Sequence, residues 1–456
     1  MNTVIVRRAI RGLGNLVLRP YPIAGTTAQQ REGIKYMWYD LLFANMSVAF
    51  FAEFLTLYIL ELGGTTSVIG TMTSASNAMA LLGPIVGATL VARSGKRKIW
   101  VLIGPGSIGR LTLLLSAITP LFCSGSTAVL IVVVLTCIRN LAGTMSSPPG
   151  TSLQGDILPP GIRSRWNSLS MVAANAITVI VVPLTGWLIR VISGVAGYQV
   201  ALGIATVLGF VATSFYARIP EPESAEGPRQ RTPECAKGRS SLAAVFHDQR
   251  FMLYCGVMFV WSFGQQLSAP FFTVYMRESL GLSVETIAWL ATGTAVVNVG
   301  ALIGAGRLVN DRTAPKMTAI GMLLVPLMPI AWYLAADAWG VLAAKSYGVI
   351  AWALVNVSNL PLILAITPRE LRSRYIAVLN VFSATAAIIV PIPAAWIYDQ
   401  YGFKTNLLLS AAGRGVAGIL YLIMYLRGSF RRTFDELPED QAVARPALST
   451  GARHRA

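Results

Sequence analysis

Long apolar stretches recur along this chain, and short polar loops separate them. Runs of about 18 to 25 apolar residues are long enough to cross the roughly 30 Å of hydrocarbon in a bilayer as helices. The runs lack the strict alternation that membrane β-strands show, so helices are the expected spanning form. We therefore predict an all-α membrane protein with twelve transmembrane helices. The predicted spans, numbered 1 to 12, are residues 37–60, 66–91, 99–120, 126–154, 167–189, 196–217, 250–276, 284–309, 317–335, 339–364, 375–398 and 404–426.

An internal repeat divides these spans into two sets of six. The segment from Pro159 to Trp166 recurs 209 residues later as the segment from Pro368 to Tyr375, with its Arg-Ser-Arg-aromatic sequence kept. The segments Gly87 to Arg97 and Gly306 to Lys316 share a glycine and two cations at an offset of 219. Such a duplication in a membrane protein is typical of transporters, so we predict two pseudo-symmetric six-helix bundles.

Polar segments set the predicted domain limits. An Arg-rich start could be an interfacial helix or, as the alternative, an organellar targeting segment. A proline-rich polar stretch between spans 6 and 7 reads as a flexible linker, and the polar end of the chain as disordered. The predicted parts are a cytoplasmic segment at 1–35, a first bundle at 36–217, a cytoplasmic linker at 218–248, a second bundle at 249–427 and a cytoplasmic tail at 428–456.

Composition and charge agree with a membrane protein. Hydrophobic residues make up 54% and charged residues 12% of the chain, far from the averages of soluble domains. With both termini in the cytoplasm, the outer loops carry only Arg190, Arg277 and Lys404 of the 37 Lys and Arg residues. The net charge of +17 then reflects the positive-inside rule rather than nucleic-acid binding. We expect an integral protein of the inner (plasma) membrane.

The reactive side chains give no sign of an enzyme. Cys123, Cys137, Cys235 and Cys255 fall in unrelated segments, so no disulfide or metal spacing emerges. No hydrolase triad, zinc motif or phosphate-binding loop occurs, and we expect neither a cofactor nor a metal. Energy for uphill transport would come from a gradient rather than from ATP.

The loop between spans 2 and 3 carries a family resemblance. Its sequence, Gly87 to Lys98, is similar to the Gly-x4-Asp-Arg-x-Gly-Arg-Arg/Lys consensus of the major facilitator superfamily, which the chain resembles along nearly its whole length. Ala92 stands where that consensus has its acid, whereas the second-half copy keeps Asp311. The resemblance implies a cytoplasmic gate whose cations pair with acids across the mouth; the alternative is that they only enforce topology. Its expected members are Asp40, Gly87, Arg93, Gly95, Arg97, Asp311, Arg312, Arg163 and Arg372.

Span 4 carries a second resemblance. Leu135-x3-Arg139-x3-Gly143 is similar to a pattern of the proton-linked drug-efflux branches of that superfamily, without their glutamine. An arginine in the membrane interior is costly and needs water, an acid or backbone carbonyls around it. Its expected acidic partner is Glu53 of span 1, which could exchange a proton, and the alternative is a packing arginine. We therefore predict that Glu53 and Arg139 couple transport to protons.

A substrate cavity is expected between the bundles, where the family's spans 1, 4, 7 and 10 meet. Aromatic and hydrogen-bonding side chains there suit an organic compound, although helix packing is the alternative role of each. The expected members are Asn45, Trp261, Gln265, Gln266 and Lys345. Arg110 and Arg414 lie in spans that are peripheral in this family, so interhelical contacts are expected for them.

Together these features predict a monomeric secondary transporter that works by alternating access. Proton-coupled export of a small organic compound is the leading function, with the substrate, protons and the bilayer as partners. Two alternatives stay open: a proton-coupled importer or metabolite facilitator, and a membrane assembly or delivery factor that no longer transports.

Overall fold

The computed structural model describes residues 28–220, 245–310, 313–367 and 371–428, which form helices and no strand. The first half contains α1 (Ala28–Phe51 and Leu55–Glu61), α2 (Thr66–Ser94), α3 (Lys98–Val101, the π-helical Leu102–Ile108 and Gly109–Phe122), α4 (Gly125–Met145 and Ser147–Ile157), α5 (Pro160–Ile192) and α6 (Gly194–Tyr216). The second half contains α7 (Gln249–Gln266, the 3-10 turn Ala269–Phe271, Phe272–Val274 and the π-helical Tyr275–Ser279), α8 (Val284–Leu308), α9 (Ala314–Leu324 and Leu327–Leu334), α10 (Ala338–Ile366), α11 (Arg372–Ile389 and Pro391–Tyr401) and α12 (Phe403–Leu426).

These helices confirm the predicted twelve-span, two-half fold. Eleven of the described helices are long and apolar enough to cross a membrane. The remaining one, α7, changes helix type near its middle. Large apolar side chains such as Leu130, Ile180 and Val296 point outward from the bundles, as expected where lipid replaces water. Most of the predicted N-terminal segment, linker and tail lies outside the described residues.

The two halves repeat the same helix packing. In the first half α1 packs on α6 and α2 on α4; in the second half α7 packs on α12 and α8 on α10. Glycine permits the closest of these approaches, because a Cβ at Gly87 of α2 would lie only 1.9 Å from the carbonyl oxygen of Met145 in α4. Small residues at such crossings are typical of membrane helix packing.

The halves meet along two helix pairs, α5 with α8 and α2 with α11. A Cβ at Gly186 of α5 would lie 2.5 Å from the Cβ of Ala288 in α8. A Cβ at Gly70 of α2 would lie 2.6 Å from the carbonyl oxygen of Pro391 in α11. Each crossing therefore depends on a glycine that lets one half touch the other.

Within the described residues, the apolar core is shared by both halves at one end of the molecule. One buried cluster contains residues of both halves, including Leu57 of α1 and Phe271 of α7. A second cluster, around Tyr254, belongs to the second half alone, and a third, around Trp38, belongs to the first half alone. We name the shared end the closed face, and the end where the first half stops at Ile219 the linker face.

Candidate functional site

Two helices that occupy corresponding places in the two halves, α1 and α7, are both interrupted. Residues 52–54 separate the two pieces of α1, and residues 267–268 separate the first piece of α7 from its 3-10 turn. Irregular backbone at membrane depth is tolerated only inside protein or beside a water-filled cavity. In transporters such discontinuous helices mark the substrate and ion sites.

Glu53 lies in the interruption of α1, and its side chain is exposed. The cation on which it acts electrostatically is Lys345 of α10, in the opposite half. No hydrogen bond or ion pair joins Glu53 to Arg139 among the described residues. The pairing of Glu53 with Arg139 stays a prediction, and the cation that Glu53 influences electrostatically in this structure is Lys345.

Asp40 and Asn45 of α1 line a cavity in the first half, on the linker side of the interruption. Its volume is about 300 Å³. The cation that attracts Asp40 is Arg110 of α3. The remaining lining residues are Met37, Leu41, Val101, Ser146, Gly150, Leu153, Gln154, Trp166, Tyr216 and Ile219.

Arg110 reaches α1 through a gap in α6. A Cβ at Gly209 would lie 2.4 Å from the Cδ of Arg110, so the arginine stem crosses α6 at this glycine. Its Nη1 donates to the Oγ of Ser47 over 3.4 Å, while its buried Nε has no hydrogen-bond acceptor among the residues that the structure describes. Arg110 thus joins α3, α6 and α1 in the expected interhelical role and holds a charge beside Asp40.

Arg139 of α4 lies over an aromatic ring rather than an acid. Its guanidinium carbon is 4.4 Å from the centroid of Phe51, the last residue before the interruption of α1. Arg110 repels Arg139 electrostatically, and no described residue supplies it with a carboxylate. The side chain is half-buried, so its N–H groups remain open to a further partner.

Arg414 of α12 occupies the matching interior of the second half. It is 1% exposed and donates to the Oγ of Ser268 over 3.1 Å, at the interruption of α7. It also contacts the Sδ of Met328 in α9. Arg414 therefore ties α12 to α7 and α9 and is sealed away from any cavity.

The predicted cavity residues of α7 divide into two groups. Trp261 is 2% exposed and packs edge-on against Trp352 of α10, with ring centroids 5.6 Å apart. Gln265 and Gln266 are half-buried at the end of the first piece of α7. Trp261 is placed as a wall residue, whereas the two glutamines can meet a ligand.

The loop after α2 is braced within its own half. Gly95 ends α2 in the left-handed region with φ 68°, a conformation that favours glycine. Arg97 forms an ion pair of 2.7 Å with Asp156 at the end of α4 and donates to the Oγ of Ser152. Arg93 is exposed in the last turn of α2. Among the described residues, the acid that pairs with this basic loop is Asp156, which belongs to the same half.

The two copies of the Arg-Ser-Arg motif occupy equivalent places. Arg163 donates from Nε to the carbonyl oxygen of Leu158, five residues earlier, and Arg372 donates from Nε to the Oγ1 of Thr367, also five residues earlier. Each arginine closes the loop that leads into α5 or α11. Asp311 and Arg312, the expected gate residues of the second half, lie outside the described residues.

The closed face carries contacts that sequence reasoning did not predict. Arg190 of α5 pairs with Glu285 of α8, and Ser67 of α2 donates to Asp399 of α11 over 2.8 Å. The offset of 209 that relates the two Arg-Ser-Arg motifs also relates Arg190 to Asp399. Applying this offset to the ends of α5 and α11 could therefore have predicted that Arg190 and Asp399 both lie where the two halves meet.

No group of three or more His, Cys, Asp or Glu side chains within the described ranges could hold a metal ion. The site thus consists of helix interruptions, charged side chains and half-buried amides. Such a site can bind a solute and exchange a proton.

Comparison with known proteins identifies the architecture. The sequence model of the Major Facilitator Superfamily matches residues 41–391 and 254–452, whereas no curated protein sequence matches. Among solved structures, the fold is similar to that of the nucleoside transporter NupG, at 14% identity and a TM-score of 0.69, covering 86% of this chain and 100% of that one. A D-xylose-proton symporter is similar at 15% identity and a TM-score of 0.62, covering 85% and 96%. A peptide transporter, POT, is similar at 14% identity and a TM-score of 0.66, covering 88% and 95%.

At these identities the solved structures establish the fold, while the family match extends over most of the chain. Two halves of six helices, interrupted central helices and the basic loop after α2 agree with that match. The chain is an integral membrane protein of the Major Facilitator Superfamily.

Proposed function

We propose that the protein is a proton-coupled secondary transporter that moves a small organic compound by alternating access. The observation that carries the proposal is the position of Glu53, a titratable carboxyl in the interruption of α1 that acts on Lys345 in the other half. Electrostatic attraction between these two groups, which lie in different halves, favours the arrangement that holds the halves together. Protonation of Glu53 removes that attraction and so shifts the balance between access states.

The solute site is the space around the interruptions of α1 and α7. Asn45, Gln265 and Gln266 supply hydrogen-bonding groups there, and Arg139 and Lys345 supply cations. Contacts at the closed face, including Arg190 with Glu285, hold the halves together at that end. These contacts support access from the linker face in the state described, which we propose to be the cytoplasmic side.

Export is the direction that the Leu135 to Gly143 pattern in α4 favours. Import is the second candidate, since one similar fold is that of a D-xylose-proton symporter. The sign of the response to a pH gradient separates the two. Antiport gives solute movement against the proton flux, and symport gives movement with it.

The test is a proteoliposome assay with pH gradients imposed in each direction and a panel of organic cations, anions and neutral metabolites. Wild type is compared with Glu53→Gln and with the control Glu32→Gln, an exposed acid of the same helix. We expect Glu53→Gln to lose gradient-driven accumulation while it keeps solute exchange at equal pH, and Glu32→Gln to behave as wild type. Full gradient-driven transport by Glu53→Gln would contradict the proposal. Absence of flux for every solute would favour an assembly or delivery factor instead.

A further inference from the structure

The interior of the protein carries an excess of positive charge. Away from the helix ends, and apart from the exposed Lys35 in the first turns of α1, the described spans contain two acids and four cations: Asp40, Glu53, Arg110, Arg139, Lys345 and Arg414. Charges at membrane depth are costly unless paired, so each one needs an identified partner. The two acids cannot neutralise all four cations.

Each of the two acids has one cation that interacts with it electrostatically. Asp40 is attracted by Arg110, within the first half. Glu53 acts on Lys345, across the two halves. Arg139 and Arg414 are therefore the cations that no carboxylate compensates among the described residues.

These two arginines differ in their surroundings. Arg414 is 1% exposed and bonded to Ser268, so protein groups satisfy part of its hydrogen-bonding capacity and exclude a ligand. Arg139 is half-buried, and the contact found for it is the face of Phe51, at 4.4 Å. A ring beneath a guanidinium leaves the in-plane N–H donors free, since cation–π contact uses only the face. The N–H groups at the edge of the Arg139 guanidinium are thus available to donate to a ligand beside the interruption of α1.

We propose that Arg139 binds the carboxylate of the transported compound, so that the substrate is a small organic anion; this inference rests on the proposed transport function. A planar guanidinium matches a planar carboxylate with two parallel hydrogen bonds. Phe51 orients the guanidinium from below, and Arg110 adds positive potential nearby. The bound anion supplies the negative charge that the interior lacks.

Thermal unfolding of the purified protein tests the anion site directly, because a ligand that binds the folded state raises the unfolding midpoint. The probes are matched pairs of similar shape: benzoate with benzamide, hexanoate with hexanamide, and succinate with succinamide. The variants are Arg139→Gln, Arg139→Lys and the control Arg427→Gln, which removes an exposed cation at the end of α12. Phosphatidylcholine vesicles in a parallel transport assay remove anionic lipid headgroups as a competing source of negative charge.

We expect at least one carboxylate, and not its amide, to raise the midpoint of the wild type and of Arg427→Gln. The apparent dissociation constant should rise at least about tenfold in Arg139→Gln, given the usual strength of a charge-assisted pair, and less in Arg139→Lys. Equal shifts with carboxylate and amide, an unchanged response in Arg139→Gln, or no shift with any carboxylate would overturn the anion site.

The outcomes also separate this inference from the transport proposal. Proton-driven flux of a neutral or cationic solute that depends on Glu53, without any carboxylate effect, overturns the anion site alone. Carboxylate binding that depends on Arg139, without any gradient-driven flux, supports the anion site and contradicts the transport proposal.

Discussion

Arg190, the third residue from the end of α5, forms an ion pair with Glu285, the second residue of α8. The internal repeat produces the same relationship once more, because Asp399 is third from the end of α11 and accepts from Ser67, the second residue of α2. One contact joins two full charges and the other joins a hydroxyl to a carboxylate. The closed face is thus held by two related contacts of unequal strength.

Neutralising Arg190 should favour opening of this face. Its side chain is 67% exposed, so the pair contributes only about 0.2 to 1 kcal/mol. Arg190→Gln should therefore raise the open population by at most about fivefold, as measured by spin-label distances between the ends of α5 and α8. The effect should shrink at high salt, because salt screens exposed charges.

The exchanged double variant, Arg190→Glu with Glu285→Arg, is the matched control. It should recover wild-type distances, since opposite charges again face each other. A double variant as open as the sum of its single variants would show that the pair does not hold the face.

Filling a glycine between the halves should have a larger effect. Gly186→Ala places a methyl group 2.5 Å from the Cβ of Ala288, and overpacking of this kind costs about 1 to 3 kcal/mol. We expect the closed face to part and the transport rate to fall, measured by the same distances and by flux. Ala288→Gly in the same chain should restore both. Gly203→Ala in α6, where the new Cβ meets no atom within 4 Å, should leave both unchanged.

Arg414 should be essential for stability rather than for specificity. Arg414→Ala removes a buried side chain bonded to Ser268 and leaves a cavity between α7, α9 and α12. Changes of this kind cost about 3 to 5 kcal/mol, so the unfolding midpoint should fall sharply. Arg427→Ala, at the exposed residue that follows the last residue of the same helix, should change it little. Similar midpoints for the two variants would contradict this role.

Arg97 and Asp156 should couple within the first half. A double-mutant cycle of Arg97→Gln and Asp156→Asn should give about 0.2 to 1 kcal/mol of coupling in thermal unfolding, as expected for a partly exposed pair. Arg93→Gln, on the exposed last turn of α2, should show no coupling to Asp156→Asn. Additive effects of Arg97→Gln and Asp156→Asn would mean that Arg97 acts through other groups.

The spans were predictable because hydrophobic length alone determines them. The predicted limits agree with the helices to within a few residues at most ends, and α1 is the main exception, since it begins at Ala28 rather than at residue 37. The repeat predicted two equivalent halves because both copies keep the same cations before the same helices. Neither the span limits nor the two equivalent halves depend on the direction in which a side chain points.

Charge partners were harder to predict, because they depend on rotation about the helix axis. The prediction that Glu53 pairs with Arg139 rested on the placement of spans 1 and 4 around one cavity, which does not fix how either side chain is rotated about its helix axis. The irregular turn at residues 52–54 interrupts the regular rotation directly after Phe51, whose ring lies beside Arg139, and Glu53 lies within that turn. This turn contains neither glycine nor proline, so no signal in the sequence indicates that α1 is interrupted there. In α7, by contrast, Pro270 follows the interruption and was a usable signal.

The interruptions of α1 and α7 also give the closed face two separate regions of contact between the halves. The short pieces beyond them, Leu55–Glu61 and Phe272–Val274, contact each other, and Arg277 approaches Glu61 at 3.9 Å. Irregular turns join these pieces to the rest of their helices. In such a turn the backbone N–H of Phe54 donates to the carbonyl oxygen of Phe51 over 3.1 Å. Several side chains of the short pieces, including Leu57 and Val274, are buried in the apolar core that both halves share. Opening the closed face therefore exposes apolar surface at these short pieces as well as between α5 and α8. We expect two barriers at this face, one between the short pieces and one between α5 and α8.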